Sequence, residues 1–254
     1  MPSPLISIIV PIFNEAESLT PLCKEIVDAM GSHPFELILV DDGSTDATAR
    51  IITDLCAKNS RILGFRLLKN TGKGGALSVG MRCSRGDPII TLDGDLQNDP
   101  KDIPLLLAAL AGGADVALGW RQERADPLGK RWASVLFNVL CRAAFGRKLH
   151  DANTGFKALR RAAAESLPLS GSLFRFLPHL LAKNGWSVVE VPVHHHPRQF
   201  GLTKFTLGHR LRGLPDLFLA LTVARSGIET VLPPFQQLSP KESPLPMHSG
   251  MIRA

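Results

Sequence analysis

The stretch IITLDGDLQNDP, residues 89–100, ends an apolar run on Asp93 and Asp95, with Gly94 between them. Side chains at i and i+2 of an extended segment point the same way, so this spacing predicts two carboxylates presented to one point beyond a sheet. Hard oxygens of this kind suit Mg²⁺ or Mn²⁺, which keep positions open for water and for phosphate oxygens. Gln97 continues the spacing as a neutral third oxygen, making Asp93, Asp95 and Gln97 the candidate metal ligands. Pro100 and Asp102 then suit the opening of a helix.

Two further segments bring polar residues to strand ends. LILVDDGSTDAT, residues 37–48, leaves Asp41 and Asp42 for hydroxyl or N–H donors of a nucleoside, with Gly43 and Ser44 turning and Thr45 or Asp46 capping the next helix. VPIFNE, residues 10–15, places Pro11, Asn14 and Glu15 beside the same edge. NTGKGGALSVG, residues 70–80, lacks the first glycine of a Walker A loop and the hydroxyl residue after Lys73. It reads as a glycine turn opening a helix near a bound diphosphate. In VPVHHHPR, residues 191–198, His194 and His196 share a strand face and His195 opposes them, which argues against zinc and for the lining of an anionic pocket.

Elements that position these residues follow from the hydrophobic pattern. Apolar runs at 5–12, 36–41, 61–67, 88–93 and 115–119 alternate with helical patterns at 15–30, 46–58, 73–84 and 101–111. That alternation predicts βαβ units and a mainly parallel α/β sheet, with ligands at the carboxyl ends of the strands. Further on, short helices are expected at 160–167 and 173–184 and a strand at 187–193. Residues 130–146 carry an apolar stripe of Trp132, Val135, Leu136, Val139 and Leu140, and residues 205–225 one of Leu207, Leu211, Leu214, Phe218 and Leu221. Both are expected to be amphipathic helices that pack on the core or lie in a membrane interface. The domain is expected to span 1–228, with a Pro-rich, disordered tail at 229–254.

Residues 1–118 hold 10 Lys/Arg against 15 Asp/Glu, a net −5, while residues 119–254 hold 19 against 8, a net +11. An acidic half facing a basic half fits a metal or nucleotide site opposite a site for an anionic partner. No nucleic-acid partner is expected. Cys23, Cys56, Cys83 and Cys141 show neither CxxC nor metal-ligand spacing, and are expected to be buried free thiols in a reducing compartment. The N-terminus reads as a first strand rather than an export signal, and no apolar run approaches the roughly 20 residues of a spanning helix.

In their order and spacing, VPIFNE, VDDGSTD, NTGKGGAL, DGDLQNDP, GWRQERAD with KRWAS, DANTGFKALRR and PRQFGLTKF resemble the inverting family 2 glycosyltransferases of GT-A fold, and within them the polyprenyl-phosphate sugar transferases typified by dolichol-phosphate mannosyltransferase. The resemblance runs from about Ile6 to Arg225. It implies a Rossmann-like sheet flanked by helices, a GDP-mannose or UDP-glucose donor, a polyprenyl phosphate acceptor, and a peripheral place on the cytoplasmic membrane face. Under it, Pro11, Asn14, Glu15, Asp42, Lys73 and Asp93 bind the nucleotide sugar, and Asp93, Asp95 and Gln97 the metal and diphosphate. Arg121, Arg131, Ser134, Arg198 and Lys204 bind the acceptor phosphate, with Asp95, Arg121 and Arg131 catalytic. The alternatives are a carbohydrate acceptor or a non-catalytic nucleotide-sugar binding protein.

Overall fold

A computed structural model of the protein describes residues 4–122, 141, 145–146, 149–166, 173–198, 232–239 and 251–252. The expected amphipathic helices at 130–146 and 205–225 lie largely or wholly outside them.

The first half is built as the pattern predicts. Strands β1 (Ile6–Ile12), β2 (Phe35–Asp41) and β3 (Ile62–Leu67) alternate with helices α1 (Ala16–Met30), α2 (Thr48–Lys58) and α3 (Lys73–Cys83). Strand β4 (Ile89–Thr91), a 3₁₀ turn (Pro100–Asp102), α4 (Ile103–Ala111) and β5 (Val116–Arg121) follow. Next come β6 (Lys157–Leu159), α5 (Arg161–Glu165), a 3₁₀ turn (Leu173–Arg175), α6 (Leu177–Lys183) and β7 (Val188–Val193). Strands β8 (Phe235–Gln237) and β9 (Met251–Ile252) complete the described elements.

The nine strands among the described residues form one sheet, in the order β7-β5-β6-β4-β1-β2-β3-β8-β9. Pairing is parallel for β4–β1–β2–β3, β5–β7 and β8–β9, and antiparallel where β6 joins β4 to β5 and where β8 joins β3. After β3 the chain returns to the other side of β1 to lay down β4. This reversal opens a crevice at the carboxyl ends of β1 and β4, the place where open α/β sheets bind ligands.

Alternation along the strands splits the core into two layers. Ile8, Val10, Leu37 and Leu39 pack with Leu19, Leu22 and Ile26 of α1, Ile52 of α2 and Leu106 of α4. Ile9, Ile38 and Val40 face the opposite layer, with Val79 of α3, Ala163 of α5 and Leu180 of α6. Pro11 is tolerated inside β1 because its nitrogen faces the β4 side, where pairing has ended at Thr91. The four thiols are free and buried. No helix among the described residues is long and apolar enough to cross a membrane.

Two expectations need correction. The acidic strand is shorter than the apolar run suggests: pairing stops at Thr91, so Asp93 lies just past the strand and Asp95 in the turn that follows, rather than both on an extended strand. Part of the tail is also ordered. Phe235 is buried edge-to-face on Phe65, with centroids 5.9 Å apart, and Leu238 N donates to Gly64 O at 2.7 Å. An aromatic anchor and an unpaired β3 edge outweigh the tail's polar, proline-rich composition.

Candidate active site

The ends of β1 and β2 are laced together by hydrogen bonds to the N–H groups that lead into α1. Asn14 N donates to Ser44 Oγ (2.9 Å), Glu15 N to Thr48 Oγ1 (3.1 Å) and Ala16 N to Asp46 Oδ2 (3.4 Å). In return, Asn14 Oδ1 accepts from Thr45 N at 2.8 Å, with Asn14 at φ 50°. Asp46 also accepts from Thr48 N at 3.0 Å, but from one position before the N-cap of α2, which is Ala47 and not the expected Thr45 or Asp46. Asp41 and Asp42, expected to await a nucleoside, are already engaged. Asp41 accepts from Ser44 N (2.8 Å) and pairs with Arg66. Asp42 accepts from Thr71 N (2.7 Å) and Gly72 N (2.8 Å), so it holds the glycine turn ahead of α3. Burial outweighs these bonds and keeps the Asp42 carboxyl above its usual range. Gly43, at φ +73°, lets the two loops close, since a Cβ there would lie 2.9 Å from Asn70 N.

The acidic pair rests on this scaffold. Ser18 of α1 donates to Gly94 O at 2.7 Å, and Gln97 N donates to Asp95 Oδ1 at 3.3 Å. Beneath Asp93 lies Gly155, where a Cβ would come within 2.1 Å of the carboxylate, so any other residue would push Asp93 out of place. The Lys73 ammonium, at the start of α3, donates to Asp93 Oδ1. Burial alone would raise the Asp93 carboxyl, but Lys73, Lys157 and Arg121 together hold it below the usual range. Asp95 is shifted the other way: burial and the neighbouring Asp93 charge outweigh Arg198 and raise it. Two carboxylates close enough to repel, moved in opposite directions, are what a cation between them would relieve.

The histidine segment runs alongside this turn. His194 N donates to Asp102 Oδ2 (2.6 Å), His196 N to Gln97 O (2.8 Å), and the His196 ring meets Asp99 (3.2 Å). The Gln97 amide is directed at this segment, with Nε2 3.3 Å from His196 O and 3.5 Å from His195 Nε2. Gln97 thus braces the loop through its amide nitrogen. At the end of the segment, Arg198 reaches back to Asp95 (Nη2–Oδ2 2.5 Å) and to Glu15 (Nη1–Oε1 3.5 Å).

Donor chemistry here fits a divalent ion. Among the described residues no three His, Cys, Asp or Glu side chains form a ready-made cage. Mg²⁺ sites of this kind use one or two carboxylates and complete the shell with water and substrate phosphates. Asp93 and Asp95 would be the carboxylates of such a site, and each is neutralised here by a side-chain cation, Lys73 or Arg198.

On the other side of the crevice, Arg121 at the end of β5 is held in a fork by Asp151, with Nε–Oδ2 2.6 Å and Nη2–Oδ1 2.9 Å. Glu190 of β7 accepts from the backbone N–H groups of His150 (2.8 Å) and Asp151 (2.7 Å), and the His150 ring stacks on Trp120 at 4.6 Å. Lys157 of β6 is buried beneath the site and donates to Thr154 O. Burial, then the Lys73 charge, lower its pKa to about 7 against the pull of Asp93 and Asp151.

The structure therefore brings Pro11, Asn14, Glu15, Asp42, Lys73, Asp93, Asp95, Arg121 and Arg198 to the strand ends around one crevice, while Arg131, Ser134 and Lys204 lie outside the described residues. Reasoning from sequence missed Asp151, Gly155, Lys157 and Glu190. The first three stand in the motif DANTGFK, whose compact mix of Asp, Asn, Thr and Gly was the available signal.

The model of glycosyl transferase family 2 matches residues 7–167. The chain is 37% identical over 227 residues to dodecaprenyl-phosphate galacturonate synthase of Rhizobium johnstonii, covering 87% of this chain and 67% of that protein. Its fold resembles glucosyl-3-phosphoglycerate synthase of Mycobacterium tuberculosis. The complex with Mn²⁺ and UDP-glucose superposes with a TM-score of 0.67 at 22% identity, over 86% of this chain and 79% of that one. The complex with phosphoglyceric acid gives 0.66 at 21%, over 89% and 82%. These likenesses identify the architecture as GT-A.

Proposed function

The chain belongs to glycosyl transferase family 2, and from that premise we propose that it is an inverting enzyme that moves a hexose from a nucleotide sugar to a polyprenyl phosphate at a membrane surface. The observation that carries this reading is the acid pair Asp93 and Asp95, ringed by Lys73, Arg121 and Arg198 at the strand ends. The identity to a protein named for a dodecaprenyl-phosphate product supports the acceptor class. A peripheral position on the cytoplasmic membrane face follows from such an acceptor.

The chemistry is the meeting of two anions. As the anomeric carbon leaves the donor, negative charge grows on the departing diphosphate. Asp93 and Asp95 would hold a Mg²⁺ or Mn²⁺ ion, which would supply Lewis-acid neutralisation of that charge. Lys73 adds a positive group at the N-terminus of α3, where anions are already favoured. Pro11, Asn14, Glu15 and Asp42 form the nucleotide side. A phosphate monoester has a second pKa of about 6 and is largely dianionic at neutral pH, so it attacks without a strong general base. It does need cations to approach, and Arg121, Arg131, Arg198 and Lys204, with the hydroxyl of Ser134, are the proposed set.

GDP-mannose and UDP-glucose are the proposed donors. The galacturonate in the relative's name favours a second reading, a hexuronate donor. The test is incubation with Mn²⁺ or Mg²⁺, a polyprenyl phosphate, and radiolabelled GDP-mannose, UDP-glucose or UDP-galacturonate, followed by lipid extraction. Label should enter the organic phase for one donor. Label that stays aqueous with all of them, in the presence of active control enzyme, overturns the reading.

A further inference from the structure

Arg198 joins two carboxylates that come from different elements. Asp95 belongs to the turn after β4 and Glu15 to the start of α1, and the guanidinium lies between them at 2.5 Å from one and 3.5 Å from the other. Nη1 is buried and makes no hydrogen bond there. A cation with a donor left over occupies ground that a divalent ion on Asp95 would claim.

We propose that Arg198 is a placeholder: it neutralises Asp95 and Glu15 before the donor arrives, is displaced when metal and diphosphate are seated, and then offers its donors to the acceptor phosphate. This rests on the reading of Asp95 as a metal ligand. Binding is therefore ordered, with the donor first and the acceptor second, and Arg198 couples the two sites.

Three features support the exchange. An arginine cannot give up its charge, so leaving a carboxylate requires another cation in its place. The segment that carries it is pinned upstream, with His194 on Asp102 and His196 N on Gln97 O, so the side chain can move without loosening its own anchor. Pro197, exposed and lacking an N–H, separates that anchor from Arg198. The unsatisfied Nη1 is matched by a phosphate, whose oxygens accept forked donors.

The test measures metal binding without turnover. Mn²⁺ is titrated into the nucleotide-free protein and free Mn²⁺ is followed by electron paramagnetic resonance. Arg198→Gln should bind Mn²⁺ roughly fivefold or more tightly than wild type, the range of an ordinary coupling between sites. Arg198→Lys, which keeps the charge, should fall between the two. Equal or weaker binding by Arg198→Gln overturns the placeholder role. Asp95→Asn separates the premises: if it binds Mn²⁺ like wild type, the metal reading itself is wrong. In a second arm, the affinity for a short-chain prenyl phosphate is measured by calorimetry with and without Mn²⁺ and UDP or GDP. Wild type should gain affinity when metal and nucleotide are present, and Arg198→Gln should lose most of that gain. An equal gain in both proteins overturns the release step.

Discussion

Arg121 and Asp151 face each other in a two-bond fork, 2.6 and 2.9 Å long, with the carboxylate almost wholly buried. The pair joins the end of β5 to the loop before β6, and Glu190 fixes that loop from β7. Arg121 is thus held at the rim of the crevice by structure, before any substrate is present. Asp151→Ala removes the fork and should cost about 3 kcal/mol, the loss typical when one partner of a buried ion pair is removed. Urea unfolding of the purified variant measures it, and a change below about 0.5 kcal/mol would remove Asp151 from this role.

Asp95→Ala should lower transfer by roughly 10³-fold, since a metal's stabilisation of a leaving group is worth several kcal/mol. Initial rates with saturating donor and prenyl phosphate are the readout. Wild-type turnover would refute the metal role. Chelation by EDTA should mimic the loss, and added Mn²⁺ or Mg²⁺ should restore activity in wild type alone.

Lys157 sets a pH dependence of stability. Its ammonium titrates at about 7 in the folded chain against an ordinary 10.5. Between these values the unfolded chain binds more protons, so stability rises with pH and the penalty is complete only below 7. From pH 7 to pH 9 the gain should be about 2 kcal/mol. Lys157→Met should flatten that slope, as measured by urea midpoints across the range.

At higher pH the thiols act in the opposite sense. Burial pushes Cys23, Cys56 and Cys83 up to about 12 and Cys141 to about 11, from 9.0. A raised acid contributes stability below its unfolded value and loses it as pH climbs through the folded one. The urea midpoint should therefore fall above pH 9, and Cys83→Ala should reduce the fall.

Phe235→Ala should cost about 3–5 kcal/mol, as for other buried aromatic truncations. The side chain is 5% exposed against Phe65, although it lies in a stretch that composition alone assigns to a loose tail. Thermal or urea unfolding checks it, and a near-neutral result would return the segment to that assignment.

Much of the fold was legible because βα repeats announce themselves in two periodicities at once. Strands ending at Ile12, Asp41 and Leu67, and helices beginning near Ala16, Thr48 and Lys73, lie within about two residues of the pattern. The acid pair was legible for a similar reason: polar residues at the end of a buried run need an explanation. Short elements were not legible. Lys157–Leu159 is three residues long, too few to display alternation, and it runs directly into RRAAAE, which reads as a helix. The partners of side chains were hidden as well. Asp42 could be placed at a strand end, but its bonds to Thr71 and Gly72 depend on how two loops pack. The bond from the Gln97 amide nitrogen to His196 O likewise depends on a turn that begins at Gly94 and in which Leu96 adopts φ 60°.

The antiparallel β6 lies between β4 and β5, so the floor of the crevice is stitched from stretches far apart along the chain. A nascent polypeptide that has emerged only as far as Arg121 has laid down both flanking strands without the one that bridges them. Until residues 151–159 leave the ribosome, Asp93 has no Gly155 beneath it, Arg121 has no Asp151 to seize, and the bridging strand is missing. Synthesis itself would therefore withhold a working centre until well over half of the molecule exists.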